Sequence, residues 1–261
     1  MDLSKRFHYY WTELADPRTN DWVLIDSIYQ IPLIIIIYLY VILYWGPRFM
    51  KNRPPYSLKT FIKIYNIFQI IANAWLVREH LAAGWMKDIP LTCMPVIYSY
   101  EPHYYKYIQI LWWFLLLKMI DCIETIMFML RKKNKQISAL HLYHHVSSLM
   151  FSWITVKYLA GEMSTFVTLV NCSVHVIMYT YYLLAAFGPR AQAIIMPVKS
   201  YITILQMVQF FGFILYTVQI LMPNCHIPSL FGIMFLINVA INWFMFYKFY
   251  QKSYVSSKVK Q

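Results

Sequence analysis

Charge is scarce in this sequence. Asp, Glu, Lys and Arg make up 13% of its 261 residues, about half the share of an ordinary soluble domain. Cysteine is scarcer still, with four residues, too few for a secreted scaffold held by disulfides. No internal repeat is visible, and no linker separates one domain from another. Signal-peptide character is also missing. The first thirty residues hold Asp2, Glu13, Asp16, Asp21 and Asp26 and no apolar core, so no cleaved leader is expected. What fills the chain is apolar: hydrophobic residues reach 60%, against roughly 45–50% in soluble domains, and mean hydropathy is +0.47. A water-soluble globule and a disordered chain are both excluded. This composition belongs to an integral membrane protein.

A membrane-spanning helix needs about 20 mainly apolar residues. Seven segments qualify, at about 28–46, 61–82, 106–130, 141–159, 163–186, 200–221 and 229–249. Gly46-Pro47, Pro54-Pro55, Gly188-Pro189, Pro223 and Pro228 punctuate their ends, and only Ala160-Gly161-Glu162 separates the fourth from the fifth. The expectation is an all-α, polytopic protein with seven transmembrane helices and one domain over 1–261. Its parts are an N-terminal segment 1–27, a bundle 28–249 and a tail 250–261.

Fifteen of the 23 Lys and Arg fall in segments on one side, among them Arg48, Lys51 and Arg53, Arg131 to Lys133, Arg190, Lys199, and Lys258 and Lys260 of the tail. By the positive-inside rule that side is cytosolic, the N-terminus lumenal and the C-terminus cytosolic. None of the 11 acids lies in the cytosolic segments. A purely basic face suits anionic lipid or a phosphate-bearing substrate, although insertion bias alone explains most of the Lys and Arg. Membrane lipid is an expected partner and nucleic acid is not. Cys122 and Cys172 fall within helices, where packing is the default. Cys93 and Cys225 both fall in lumenal loops, the oxidising side, and a Cys93–Cys225 disulfide is expected there.

Ionisable residues inside a span are costly, so each marks a candidate site. In the third span Lys118, Asp121 and Glu124 recur in steps of three, on one gradually drifting face. Lys118 and Asp121 could form a self-neutralising pair; Glu124 would then lack a partner in its own helix. The fourth span opens with His141-Leu-Tyr-His144-His145, whose i, i+3, i+4 spacing converges three imidazoles. Metal ligation is the rival reading of such a cluster. The fifth span carries Asn171 and His175, followed by Tyr179 and Tyr182; the sixth carries Thr203, Gln206 and Gln209, whose amides could equally bond neighbouring helices. At 1.5 Å per residue, His144 lies about 13 Å from Gln136 at the cytosolic end, Glu124 and Gln206 about 10 Å from theirs, and His175 about 20 Å from Gly188. Four helices thus place polar groups in the cytosolic half of the bilayer. This suggests a chamber open to the basic face, for a substrate with an anionic head and an apolar body.

At these residues the sequence resembles the very-long-chain fatty acid elongases, the ELO family of membrane condensing enzymes. The resemblance runs from Gly46-Pro-Arg-Phe-Met-Lys-Asn-Arg-Pro-Pro to Phe249. It includes Leu111-Trp-Trp, Leu130-Arg-Lys-Lys-Asn-Lys-Gln, the histidine box His141-Leu-Tyr-His-His, His175-Val-Ile-Met-Tyr-Thr-Tyr-Tyr and Thr203-Ile-Leu-Gln-Met-Val-Gln. The family usually reads Lys-x-x-Glu-x-x-Asp-Thr where this chain has Asp121 and Glu124, the two carboxylates exchanged.

The resemblance implies condensation of a long-chain acyl-CoA with malonyl-CoA to 3-oxoacyl-CoA, CO₂ and CoA, with six helices around an acyl tunnel closed at the lumenal end. It implies no metal and no cofactor beyond these two substrates. His144 would form an acyl-imidazole. His141 and His145 would orient or deprotonate it, with Asp121 or Glu124 as carboxylate partner. His175, Asn171, Gln206 and Gln209 would supply donors to enolate and oxyanion, and Lys118, Tyr179, Tyr182 and Thr203 would complete the substrate-binding set. Residence in the endoplasmic reticulum membrane follows from the family, as do other elongation-cycle enzymes or a second copy of the chain as partners.

Two other readings compete. A di-iron desaturase or hydroxylase also uses membrane histidine boxes, but with His8, His80, His103 and His226 on the other side only four of the eight histidines remain. A seven-span receptor would carry Asp-Arg-Tyr where Leu130-Arg-Lys-Lys stands, and would place its polar pocket outside.

Overall fold

In the computed structural model the structure describes residues 2, 9, 13–87, 89, 91–222, 225, 227 and 229–256. His8, Pro223, His226, Pro228, Lys258 and Lys260 fall outside the described residues. Among the described residues there are helices and no strands. A continuous helical rod, α1 (Gln30–Met50), is followed by α2 (Lys59–Ala82), α3 (Pro102–Leu130), α4 (Ala139–Tyr158), α5 (Glu162–Ala185), the short α6 (Pro189–Ile195), α7 (Val198–Thr217) and α8 (Ser229–Tyr250).

Local chemistry sets the boundaries. Pro102 opens α3 at a position where its missing N–H costs nothing. Ser138 opens α4, its hydroxyl accepting the backbone N–H of His141 at 3.2 Å. Gly188, with φ of +118°, supplies the left-handed residue that ends the run from α5 and lets Pro189 start α6. Gly46 permits a close approach of α1 to α3, since a Cβ there would collide with the side chain of Met129.

Among the described residues, five helical stretches are long and apolar enough to cross a membrane: Gln30–Met50, Lys59–Ala82, Glu162–Ala185, Val198–Leu221 and Ser229–Val255. The sequence expectation was seven. The other two segments are the 29-residue α3 and the 20-residue α4, long enough but diluted by Lys118, Asp121 and Glu124 in one and three histidines in the other. The polar residues of the candidate site are what separates them from the rest.

Helix neighbours close a ring: α2 packs on α3, α3 on α4, α4 on α8, α8 on α7, α7 on α5 and α5 back on α2. The α1 rod lies outside it, against α3 and α4. A further contact between α3 and α5 crosses the ring and sets α2 apart. The inward face of α2 explains this, because Asn66, Gln69, Asn73 and His80 are all buried on it. Such a stripe seeks polar partners; His80 Nε2, for example, lies 2.6 Å from Thr168 Oγ1 of α5.

The end of the bundle away from the basic loops is tied by Asp16 and Arg18. Their side chains pair at 2.6 Å and are both buried, and the guanidinium also donates to the carbonyls of Ile97 at 2.8 Å and Ala160 at 2.9 Å. Lys157 Nζ donates to Ile25 O at 3.0 Å. At the same end the expected Cys93–Cys225 disulfide is formed, with Cα atoms 5.6 Å apart. Cys122 and Cys172 are free thiols.

Candidate active site

The cap at Ser138 places His141, His144 and His145 in the first two turns of α4. Their rings form a cluster: His141 and His145 have centroids 4.3 Å apart, His144 and His145 5.6 Å. His144 turns the other way, edge-on to Phe210 of α7 at 6.1 Å and Phe246 of α8 at 6.2 Å. It lines a cavity of about 130 Å³. That cavity runs along α4 from His144 through Ser148, Ser152 and Thr155 to Leu159, fifteen residues or about 22 Å of helix. At the far end Met163, Tyr216 and Ile227 pack with Cys93 and Cys225, so the disulfide braces the end remote from the histidines.

Five of the six helices of the ring line it (α3, α4, α5, α7 and α8), while the α3–α5 contact keeps α2 off its wall. Of the candidate site residues, His144 and Asn171 stand on its wall. Asn171 is buried, and its Oδ1 has no hydrogen-bond partner among the described residues.

A second polar cluster lies between α2, α3 and α5. Lys118 Nζ donates to Asp121 Oδ2 at 2.8 Å, and both side chains are buried. The other carboxylate oxygen accepts from Gln69 Nε2 at 2.8 Å and from Tyr179 OH at 3.4 Å. His175 Nδ1 lies 3.5 Å from Lys118 Nζ and 4.0 Å from Asp121 Oδ2. Burying charge without such partners would be expensive. Gln69 is itself held, donating to Tyr65 OH at 2.9 Å and accepting from Asn73 Nδ2 at 3.2 Å.

The carboxylate partner expected for His141 and His145 is not found among the described residues. His141 Nε2 instead lies 2.8 Å from Thr125 Oγ1, which is 2.7 Å from Tyr38 OH of α1. The reason is charge balance: Lys118, three residues away on the same helix, already neutralises Asp121. Glu124 has no hydrogen-bond or ion-pair partner among the described residues, as the pairing of Lys118 with Asp121 foreshadowed. The glutamines of α7 make weak contacts or none among the described residues: Gln206 Nε2 reaches Met178 Sδ at 3.4 Å, and Gln209 Oε1 is buried without a hydrogen-bond partner there. Thr203 Oγ1 lies 3.4 Å from Tyr254 OH, and Tyr182 packs its ring against Tyr179. No group of three or more His, Cys, Asp or Glu arranged to hold a metal ion occurs among the described residues.

Four residues of these polar clusters were missed in the sequence. Thr125 was legible, one turn beyond Asp121 on the same helix. Gln69 and Asn73 were also legible, as polar residues at helical spacing with Asn66 inside an apolar span. Tyr38 was not, since nothing distinguishes one tyrosine among the 23 of this chain.

Residues 23–261 match the family model described as ELO: GNS1/SUR4 family. The chain is 36% identical over 259 residues to a very long chain fatty acid elongase of Aedes aegypti, spanning 99% of this chain and 72% of that protein. It is 35% identical over 260 residues to very long chain fatty acid elongase 7 of Drosophila melanogaster, spanning 98% and 79%. Against very long chain fatty acid elongase 4 of Homo sapiens the identity is 36% over 253 residues, 96% of this chain and 79% of that one. A match this long takes in both polar clusters, the cavity between the helices and the disulfide that braces it, and the chain belongs to the ELO (GNS1/SUR4) family.

Proposed function

We propose that this chain is the condensing enzyme of fatty acid elongation, joining a long-chain acyl-CoA to malonyl-CoA to give 3-oxoacyl-CoA, CO₂ and CoA. The observation that carries the reading is the position of His144. It sits where the polar imidazole cluster meets an elongated cavity walled by Leu111, Phe114, Phe151, Phe213 and Phe235. An acyl chain lying in that cavity would bring its thioester to the histidine.

An imidazole nitrogen of His144 attacks the thioester carbon; the C–S bond breaks and CoA leaves as the thiol, taking a proton. His141, positioned through Thr125 and Tyr38, and His145, packed on its ring, orient the nucleophile or take the proton it loses. Malonyl-CoA then loses CO₂, and the pair of electrons of the broken C–C bond forms an enolate. The enolate carbon attacks the acyl carbon, the C–N bond breaks, and the departing imidazole nitrogen takes up one proton from water, which regenerates neutral His144. Asn171, on the cavity wall, is a candidate donor to the oxyanion through its Nδ2. The sequence balances without a metal or a cofactor.

The same reading makes α3 and α4 membrane spans, seven in all, with the histidines toward the cytosol and the Cys93–Cys225 end toward the lumen of the endoplasmic reticulum. Incubating the purified, bilayer-reconstituted protein with radiolabelled malonyl-CoA and a panel of acyl-CoAs tests the function. Formation of 3-oxoacyl products is expected; release of neither label as CO₂ nor product with any acyl-CoA would sink the reading.

A further inference from the structure

We propose that Gln69 is a positioning residue which, through Asp121 and Lys118, holds His175 as the tautomer protonated at Nε2. The inference deepens the reading given above and rests on it for its catalytic consequence, though not for its structural content.

The chain of contacts starts on α2, a helix that contributes nothing to the cavity wall. Both amide hydrogens of Gln69 are placed: one goes to Asp121 Oδ1 at 2.8 Å, the other to Tyr65 OH at 2.9 Å. Its oxygen faces Asn73 Nδ2. This pattern fixes which end of the amide meets the carboxylate, so Asp121 receives a donor from Gln69 and a second, longer one from Tyr179. These donors satisfy one carboxylate oxygen. The other oxygen accepts from Lys118 Nζ at 2.8 Å.

An ammonium has three donors and no acceptor. Lys118 Nζ faces His175 Nδ1 at 3.5 Å, so a proton on Nδ1 would point one donor at another. Asp121 Oδ2 offers that proton no alternative, because 4.0 Å is beyond hydrogen-bond range. Nδ1 is therefore the acceptor and Nε2 carries the hydrogen. His175 then presents a donor, the kind of group an enolate or tetrahedral oxyanion needs, and does not compete with the α4 histidines as a base. The partner on one imidazole nitrogen decides the proton on the other.

The decisive experiment reads the tautomer directly. Protein labelled with ¹⁵N-histidine is reconstituted in bilayers without substrate, and the His175 signals are assigned by their loss in His175→Ala. The expected wild-type spectrum has Nε2 protonated and Nδ1 bare. Lys118→Met should admit the Nδ1-protonated form, and Gln69→Met should move the population the same way. In condensation assays Gln69→Met should lower kcat about tenfold with the KM for acyl-CoA held within about twofold, a modest fraction of the roughly 10⁴ that a wrong tautomer costs a catalytic triad. In a Lys118→Met background the Gln69 change should cost nothing further. A wild-type His175 protonated at Nδ1, an unmoved tautomer in Lys118→Met, or independent multiplicative losses of rate would each overturn the proposal. Should Gln69→Met not fold, Tyr179→Phe removes the other donor to the same oxygen, and Lys118→Met decides the tautomer alone. A wild-type protein lacking all condensation activity would count against the proposed function and leave the tautomer result to stand by itself.

Discussion

Thr125 Oγ1 lies 2.8 Å from Nε2 of His141, joining α3 to the first turn of α4 where the histidines begin. The same hydroxyl meets Tyr38 OH at 2.7 Å, so three helices share one hydrogen-bonded line. Thr125 is fully buried, and removing one member of such a line leaves the others unsatisfied, a cost of about 1–3 kcal/mol. Thr125→Val is expected to lower the condensation rate about tenfold, and Tyr38→Phe by less, since His141 keeps its immediate partner. Initial rates alongside thermal melts check this. Lowered melting with unchanged specific activity would make the line a helix tie only.

His144→Ala is expected to abolish condensation while the protein remains inserted and folded. The ring borders a cavity rather than filling a tightly packed site, so its loss should leave the helices in place. The chemical test is sharper: incubating the wild type with acyl-CoA alone, then digesting it, should give a peptide bearing the acyl mass at His144. An adduct at His141 or His145 instead would move the nucleophile by one face of the helix.

The motifs on α3, α4 and α5 were readable because polar groups inside apolar helices stand out against their background. His141, His144 and His145 share a face through spacing alone, and Lys118 with Asp121 paired as steps of three allow. The partners across helices were not readable. Whether Asp121 meets an imidazole, a glutamine or a lysine depends on how α2, α3 and α5 pack, and side-chain reach decides it at the level of one ångström. The same packing hides the shape of the cavity, since the contact of α3 with α5 that excludes α2 leaves no mark on periodicity. The span count shows the converse. Helices α3 and α4 carry the candidate site's polar residues, and those residues lower the hydropathy by which a span is recognised.

The Cys93–Cys225 bridge closes a loop of 132 residues and packs against Met163, Tyr216 and Ile227 at the end of the cavity. Disulfide cross-links typically stabilise by about 2–4 kcal/mol. Cys93→Ser or Cys225→Ser should lower the melting temperature by several degrees and broaden the range of acyl lengths accepted, because the cavity floor loses its brace. Melting curves and product profiles, compared with those of the reduced wild type, check both halves. An unchanged product profile would confine the bridge to stability.

The buried pair Lys118 and Asp121 distinguishes charge balance from chemistry. Removing one member, as in Asp121→Asn or Lys118→Met, leaves an uncompensated charge or an unmatched carboxylate, a loss of about 3–5 kcal/mol for a buried pair. Removing both, as in Lys118→Met with Asp121→Leu, leaves no charge to desolvate, so the double variant should melt above either single one. Activity should not follow, because the double variant has lost the group that faces His175 Nδ1 at 3.5 Å. Glu124→Gln, by contrast, touches a carboxylate with no partner among the described residues, and its melting temperature should hold or rise. The exchanged order of the two carboxylates then has a physical reading. The shorter Asp121 fits the space bounded by Lys118 Nζ and Gln69 Nε2, both at 2.8 Å, and Asp121→Glu would push one more methylene into that site. It should therefore cost stability even when paired with Glu124→Asp. Thermal melts of these carboxylate variants, with condensation rates on the same preparations, separate the two roles. A double Lys118→Met, Asp121→Leu variant that regains both melting temperature and rate would make the pair a filler of space and leave catalysis to the histidines of α4.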